Sequence, residues 1–236
     1  MKAILLAAGV GSRIAKDIDN IPKSMVRTGD KPLLLHTVEL LKKEGIEPVV
    51  ITGYKHRIIE EALKDHKVTL YYNPFYAVTN SIGSLWYARD EIEGDSVLIA
   101  NADVYYTGEL LDRILSAEYD NFLLSDKSRA DKGDYFFLSE NGVLKAFGKD
   151  LDRDHRNCEY VGIAMLKNAW VGRFRERLCK MIENGEYDLW WENVLYSFVG
   201  QEEIHTFDTE GIFWSEVDTI EDYDRVLEYI KRKDVK

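Results

Sequence analysis

Residues 5–14 read LLAAGVGSRI, an apolar run that passes directly into Gly9, Gly11, Ser12 and Arg13. A little further on, Lys23 stands in IPKSMV. A glycine turn that leaves a strand lets bare backbone N–H groups come close to phosphate oxygens. With two cations beside it, such a loop is a cradle for a triphosphate, formed by Leu6, Ala7, Ala8, Gly9, Gly11 and Ser12 with Arg13 and Lys23. The spacing is not the Walker pattern. A dinucleotide fold would place an acidic residue roughly 20 residues later, at the end of the second strand; here that strand ends in Thr52 and Gly53. A plain strand-to-helix turn accounts for G-x-G equally well, so the weight falls on the loop together with its two cations.

Carboxylates supply the second kind of chemistry. IANADVYY places Asp103 at the end of an apolar strand, the edge where parallel sheets bind ligands. A turn residue is the plainer alternative. FWSEVDTIEDY holds Glu216 and Asp218 two residues apart, on one face if the strand continues. Asp218 is equally suited to capping the helix that follows. The five histidines show no recognisable spacing, and neither a Ser-His nor a Cys-His arrangement is present. No covalent intermediate is expected.

These residues need a scaffold, and the hydrophobic pattern supplies one. KAILLA, PVVITG, VTLYYN, SVLIANAD and NFLLSD read as strands. Between them lie helical patterns: one opened by Pro32, one over Ile58 to Leu63, NSIGSLWYAR and GELLDRIL. Alternation of this kind predicts a mainly parallel sheet. After Asp126 the pattern changes. DYFFLSENGVLKAFG is a hairpin turning at Asn141-Gly142, and CEYVGIAML is a further strand. Helices follow near 168–183 and 190–198, and a last one begins at Thr219, with Asp222 closing an approximate capping box. The expectation is one domain over 1–236, whose second half, 127–236, caps the first, 1–126.

Composition narrows the classes. A chain of 236 residues can bury a sizeable core. With 31 basic against 42 acidic residues, the formal net charge is −11. That argues against nucleic acid as a partner, since such proteins carry a basic face. Cys158 and Cys179 have no paired spacing, so neither a disulfide framework nor a zinc site is implied. The apolar start stops at Ala8 without a cleavage site, and no stretch approaches the ~20 residues of a membrane span. The expectation is a cytoplasmic protein with no membrane contact; a homodimer is left open.

The motifs LAAGVGSRI and IPKSMV together resemble those of the nucleotidyltransferase family that activates phosphorylated small molecules with NTP. That signature is L-A-A-G-x-G-[ST]-R-[LM], a short gap, then P-K-x-[LM]; Ile14 is a mild departure. The resemblance implies a three-layer α/β/α sandwich with a Rossmann-like, mainly parallel mixed sheet. It also implies that Asp103 and Asp218, the latter in the family's E-[IV]-D-[ST] motif, bind the catalytic metal, with Glu216 beside them.

Within this family the chain is most similar to the bacterial CTP:phosphocholine cytidylyltransferases. NPFYAVTNSIGSLWYAR resembles their base-lining N-x-x-x-SL segment, which implies that Asn80 and Ser84 meet the nucleotide base. YDLWWENV resembles their D-L-[YW]-W-[DE]-N segment. GDYFFL and YVGIAML match their substrate strands, implying Tyr135 and Gly162 near the acceptor. A quaternary ammonium has no hydrogen-bond donors and is held by aromatic faces and carboxylates. Tyr135, Asp188, Trp190 and Trp191 supply such groups. The alternatives are that a tryptophan belongs to the core and that Asp188 caps a helix.

The expected activity is Mg²⁺-dependent transfer of CMP from CTP to phosphocholine, giving CDP-choline and pyrophosphate. A sugar 1-phosphate, inositol phosphate, 2-aminoethylphosphonate or phosphoglutamine-like acceptor is the same chemistry on another substrate. A non-catalytic nucleotide sensor would have lost cationic or carboxylate positions that this chain retains.

Overall fold

The computed structural model describes residues 1–11 and 21–234. Its strands are β1 (Lys2–Ala7), β2 (Arg27–Thr28), β3 (Lys31–Pro32), β4 (Glu47–Thr52), β5 (Thr69–Tyr72), β6 (Ser96–Asn101), β7 (Val104–Tyr106), β8 (Asn121–Asp126), β9 (Phe136–Glu140), β10 (Val143–Gly148), β11 (Cys158–Lys167), β12 (His205–Asp208) and β13 (Trp214–Glu216). The α-helices are α1 (Leu33–Lys43), α2 (His56–Leu63), α3 (Ser81–Tyr87), α4 (Gly108–Ser116), α5 (Ala169–Glu183), α6 (Asn193–Tyr196) and α7 (Ile220–Asp234).

The large sheet runs β5-β4-β1-β6-β11-β8-β12-β10-β9. Its first four strands are mutually parallel, as strands joined through helices must be. Beyond them β11 enters antiparallel to both β6 and β8, and β12 lies parallel to β8. The sheet is therefore mixed: parallel on the glycine-loop side and largely antiparallel on the other. Two apolar layers cover it. Ile4 of β1 faces a cluster with α3 and α5, while Ala3, Leu5 and Ala7 face another with α1, α2 and α4. Burial on both faces is why β1 reads as an unbroken apolar run.

Local chemistry sets the element ends. Asn141 and Gly142 both have positive φ, 52° and 77°, as a tight two-residue hairpin turn requires, and join β9 to β10. Thr219 and Asp222 cap α7 reciprocally: the Asp222 carboxylate accepts from Thr219 N–H at 3.0 Å, and Thr219 Oγ1 accepts from Asp222 N–H at 3.2 Å. The helix expected over 190–198 contracts to α6, Asn193–Tyr196. The preceding backbone is engaged with the start of α3 instead. Asn80 N–H donates to Tyr187 O, Ile82 N–H to Leu189 O, and Trp191 N–H to Ser81 Oγ. Residues 187–191 thus seat α3 rather than winding into a helix. No helix among the described residues is long and apolar enough to cross a membrane.

Candidate active site

One cavity of about 370 Å³ opens where the glycine loop leaves β1. Leu6, Ala7, Ala8, Gly9 and Gly11 form one wall, and Asn80, which caps α3, and Ser84 within it also line the cavity. A Cβ on Gly9 would meet no atom within 4 Å, so the backbone there is bare toward open space. Gly11 has φ +62°, and a Cβ there would press on the Lys23 side chain at 3.0 Å. Glycine at 11 therefore serves both the turn and the packing of Lys23. Ser12 and Arg13 lie outside the described residues.

Lys23 leads into the floor. Its ammonium lies 2.6 Å from Asp103 Oδ2, touches Asp218 Oδ1, and stands 4.0 Å from Glu216 Oε1. Two short strands gather these carboxylates. Asp103 sits in the turn between β6 and β7, and β7 pairs antiparallel with β13, aligning Glu216 with Val104. The Asp103 carbonyl accepts from Val217 N–H at 2.9 Å. Because Asp222 caps α7, the Asp218 side chain is available to the cluster. One oxygen from each of Asp103, Glu216 and Asp218 lies within 4.8 Å of the others. Such an all-oxygen donor set fits a hard divalent cation that shares its shell with phosphates.

The opposite end is aromatic and acidic. Tyr135, Gly162 and Trp190 line it. Tyr160, Glu192 and Tyr196 join them, and the pattern of the sequence did not single these out. Tyr135 is central. Its ring lies 5.4 Å from Trp190, 6.0 Å from Tyr196 and 6.4 Å from Tyr160, centre to centre. Gly162 has φ +89° at a break in the β11–β8 register, and a Cβ there would crowd Asn101 Nδ2 at 3.1 Å.

Two expectations are corrected. Trp191 does not line the cavity: it is fully buried, and its indole N–H donates to Asn101 Oδ1 at 2.8 Å. A buried indole needs such an acceptor, and here the ring that meets it lies in the core. Asp188 is exposed and also lies outside the cavity wall, because the 187–189 segment gives its backbone to α3. It does not adjoin the start of α6, which begins five residues later at Asn193.

Glu192 is the notable addition. Only 5% exposed, it accepts from Asn101 Nδ2 at 3.4 Å and meets no cation among the described residues. Burial pushes its carboxyl up to about 7. Glu159, also in the wall, differs in having Arg129 as an ion-pair partner. A buried carboxylate without a counter-charge is costly, so this one is poised for a cation from outside the chain. The signal for it in the sequence was a lone acid ending the aromatic run of LWWEN.

Comparison with known proteins bears on the family and the fold. A family model described as a MobA-like NTP transferase domain matches residues 3–159. A choline-phosphate cytidylyltransferase of Streptococcus pneumoniae is 26% identical over 247 aligned residues, covering 99% of this chain and 100% of the relative. A CTP:phosphoglutamine cytidylyltransferase of Campylobacter jejuni is 29% identical over 181, covering 69% and 72%. The solved CTP:phosphocholine cytidylyltransferase of Streptococcus pneumoniae superposes with TM-score 0.78 at 21% identity, covering 97% of this chain and 98% of that one, and so shares the fold.

Proposed function

The chain belongs to the MobA-like NTP transferase domain family and is a nucleotidyltransferase, and we propose that it moves CMP from CTP to a small phosphorylated amine of the phosphocholine type. An oxygen of the acceptor phosphate attacks the α-phosphorus of CTP in line. The bond from that phosphorus to the bridging oxygen breaks, and pyrophosphate leaves with the electron pair. Such a transfer needs alignment and charge neutralisation more than covalent help.

In this reading the half 1–126 holds the nucleotide and 127–236 the acceptor. The amides of the glycine loop and Arg13 bind the triphosphate, Asn80 and Ser84 meet the base, and Lys23 neutralises charge developing around the α-phosphorus. Asp103, Asp218 and Glu216 would hold the divalent cation, Mg²⁺ by donor chemistry, which screens the phosphates when bound. Tyr135 and Trp190 give aromatic faces to the acceptor amine, and Gly162 leaves room for it.

The observation that carries the acceptor class is Glu192, a buried carboxylate without a cation partner among the described residues, in a cavity wall shared with Tyr135, Tyr160, Trp190 and Tyr196. A cation against aromatic faces and a desolvated carboxylate is bound better than a neutral sugar. The Streptococcus pneumoniae relative, named for choline phosphate, supports the same class.

Glu192→Gln and Trp190→Ala are each expected to raise the acceptor KM about tenfold, a loss of ~1.4 kcal/mol, with the KM for CTP unchanged. Steady-state kinetics with phosphocholine as the varied substrate measure this. Equal increases in both constants would contradict the assignment. Trp191→Ala behaves differently: as a core deletion it lowers stability by about 3–5 kcal/mol, read as a shift in the denaturation midpoint.

A further inference from the structure

Asn101 ties the acceptor end of the cavity to the core beneath it. It is the last residue of β6, and two residues further on the chain delivers Asp103 to the carboxylate cluster. Its amide spans two partners: Oδ1 accepts from the Trp191 indole N–H at 2.8 Å, and Nδ2 donates to Glu192 Oε1 at 3.4 Å. Trp191 and Glu192 are successive residues, the first packed in the core and the second in the cavity wall, so one amide clamps both side chains. An amide offers an oxygen at one end and N–H groups at the other, in nearly the same shape. Trp191 decides which end faces which partner, because an indole nitrogen only donates. The Asn101 oxygen must face the indole, and the N–H groups are left facing Glu192. Gly162 keeps the space they occupy, since a Cβ there would lie 3.1 Å from Nδ2. The Tyr160 hydroxyl is a second polar neighbour of the same carboxylate.

We propose that Asn101 is a positioning residue for the acceptor: oriented by the Trp191 indole, its amide fixes the Glu192 carboxylate in the place where it receives the acceptor's ammonium. Turned the other way, the amide would set its oxygen against the carboxylate and repel it. The donor-only indole prevents that turn. A hydrogen bond donated to a carboxylate is stronger than one to a neutral group and favours the charged form, which is the form that attracts an ammonium. Trp191 thereby acts on the acceptor without lining the cavity. This inference rests on the phosphorylated-amine reading and adds to it the two residues that hold Glu192 ready.

Trp191→Phe tests this, because it keeps an aromatic ring in the core and removes the N–H. With phosphocholine and phosphoethanolamine as varied substrates, it is expected to raise the acceptor KM about fivefold or more and to leave the KM for CTP unchanged. The double-mutant cycle with Glu192→Gln separates positioning from packing. In that background there is no carboxylate left to position, so adding Trp191→Phe should change the acceptor KM by less than about twofold. Asn101→Asp is the second variant. It keeps an acceptor oxygen for the indole, and with it the fold, but loses the donor to Glu192, and it is expected to raise the acceptor KM as Trp191→Phe does. Effects of Trp191→Phe and Glu192→Gln that multiply in full, or an unchanged acceptor KM in Asn101→Asp, overturn this inference and leave the phosphorylated-amine reading standing. An unchanged acceptor KM in Glu192→Gln, or turnover of neither amine by the wild type, overturns both.

Discussion

Lys23→Ala is expected to give a folded protein whose turnover is lower by about 10²-fold or more, as removal of one preorganised charge contact commonly does. Lys23 is nearly buried, with 11% of its side chain exposed, under Gly11 and among Asp103, Glu216 and Asp218. Its ammonium is thus already largely desolvated before any substrate arrives, beside the carboxylates that would hold the cation. It also offsets the mutual repulsion of the three carboxylates. The variant should therefore melt at a lower temperature in chelator and recover when a divalent cation is added, because the ion takes over that neutralisation. Turnover near the wild-type level in a folded Lys23→Ala protein would remove Lys23 from the mechanism.

Asp103→Asn and Asp218→Asn are each expected to abolish turnover, and chelation of divalent cations to do so in the wild type. An amide keeps the shape of the carboxylate but lacks its charge and one of its acceptor oxygens, and a hard divalent cation demands both. Asp218, with 6% of its side chain exposed, and Asp103, with 22%, sit deeper than Glu216 at 38%. Glu216→Gln should accordingly be the mildest of the three. Titrating Mg²⁺ into each variant while following pyrophosphate release separates weakened metal binding, which high Mg²⁺ restores, from a lost reaction. Full activity in excess chelator would contradict the metal role.

Much of this site is legible in the sequence, for identifiable reasons. β1 and β6 are buried on both faces, so their apolar runs end sharply, and the residues after those ends, the glycine loop and Asp103, announce the sheet edge. Glu216 and Asp218 were visible as a pair two residues apart. Their meeting with Asp103 came from the resemblance alone and not from any spacing, because it depends on the short β7–β13 pairing, far apart in sequence. Tyr160 looks like an ordinary core residue of β11, and only the register break near Gly162 and the turn of the sheet bring it to the cavity. Neighbouring tryptophans 190 and 191 lie in irregular chain, where no periodicity says which one faces inward. The indole N–H of Trp191 settles it by finding Asn101, which leaves Trp190 at the rim. Asp188 was misleading because the resemblance of YDLWWENV set it beside the acceptor, while the segment's hydrogen bonds go to α3 and leave Asp188 exposed.

The central claim, CMP transfer to a phosphorylated amine, is tested most directly by measuring pyrophosphate release for ATP, CTP, GTP and UTP, each against phosphocholine, phosphoethanolamine, inositol 1-phosphate and glucose 1-phosphate. Mass spectrometry then identifies the second product. The account predicts release only where CTP meets an amine, with a CDP-amine formed in equal amount. Preferential use of glucose 1-phosphate or inositol 1-phosphate, or of another nucleotide with the amines, would contradict it.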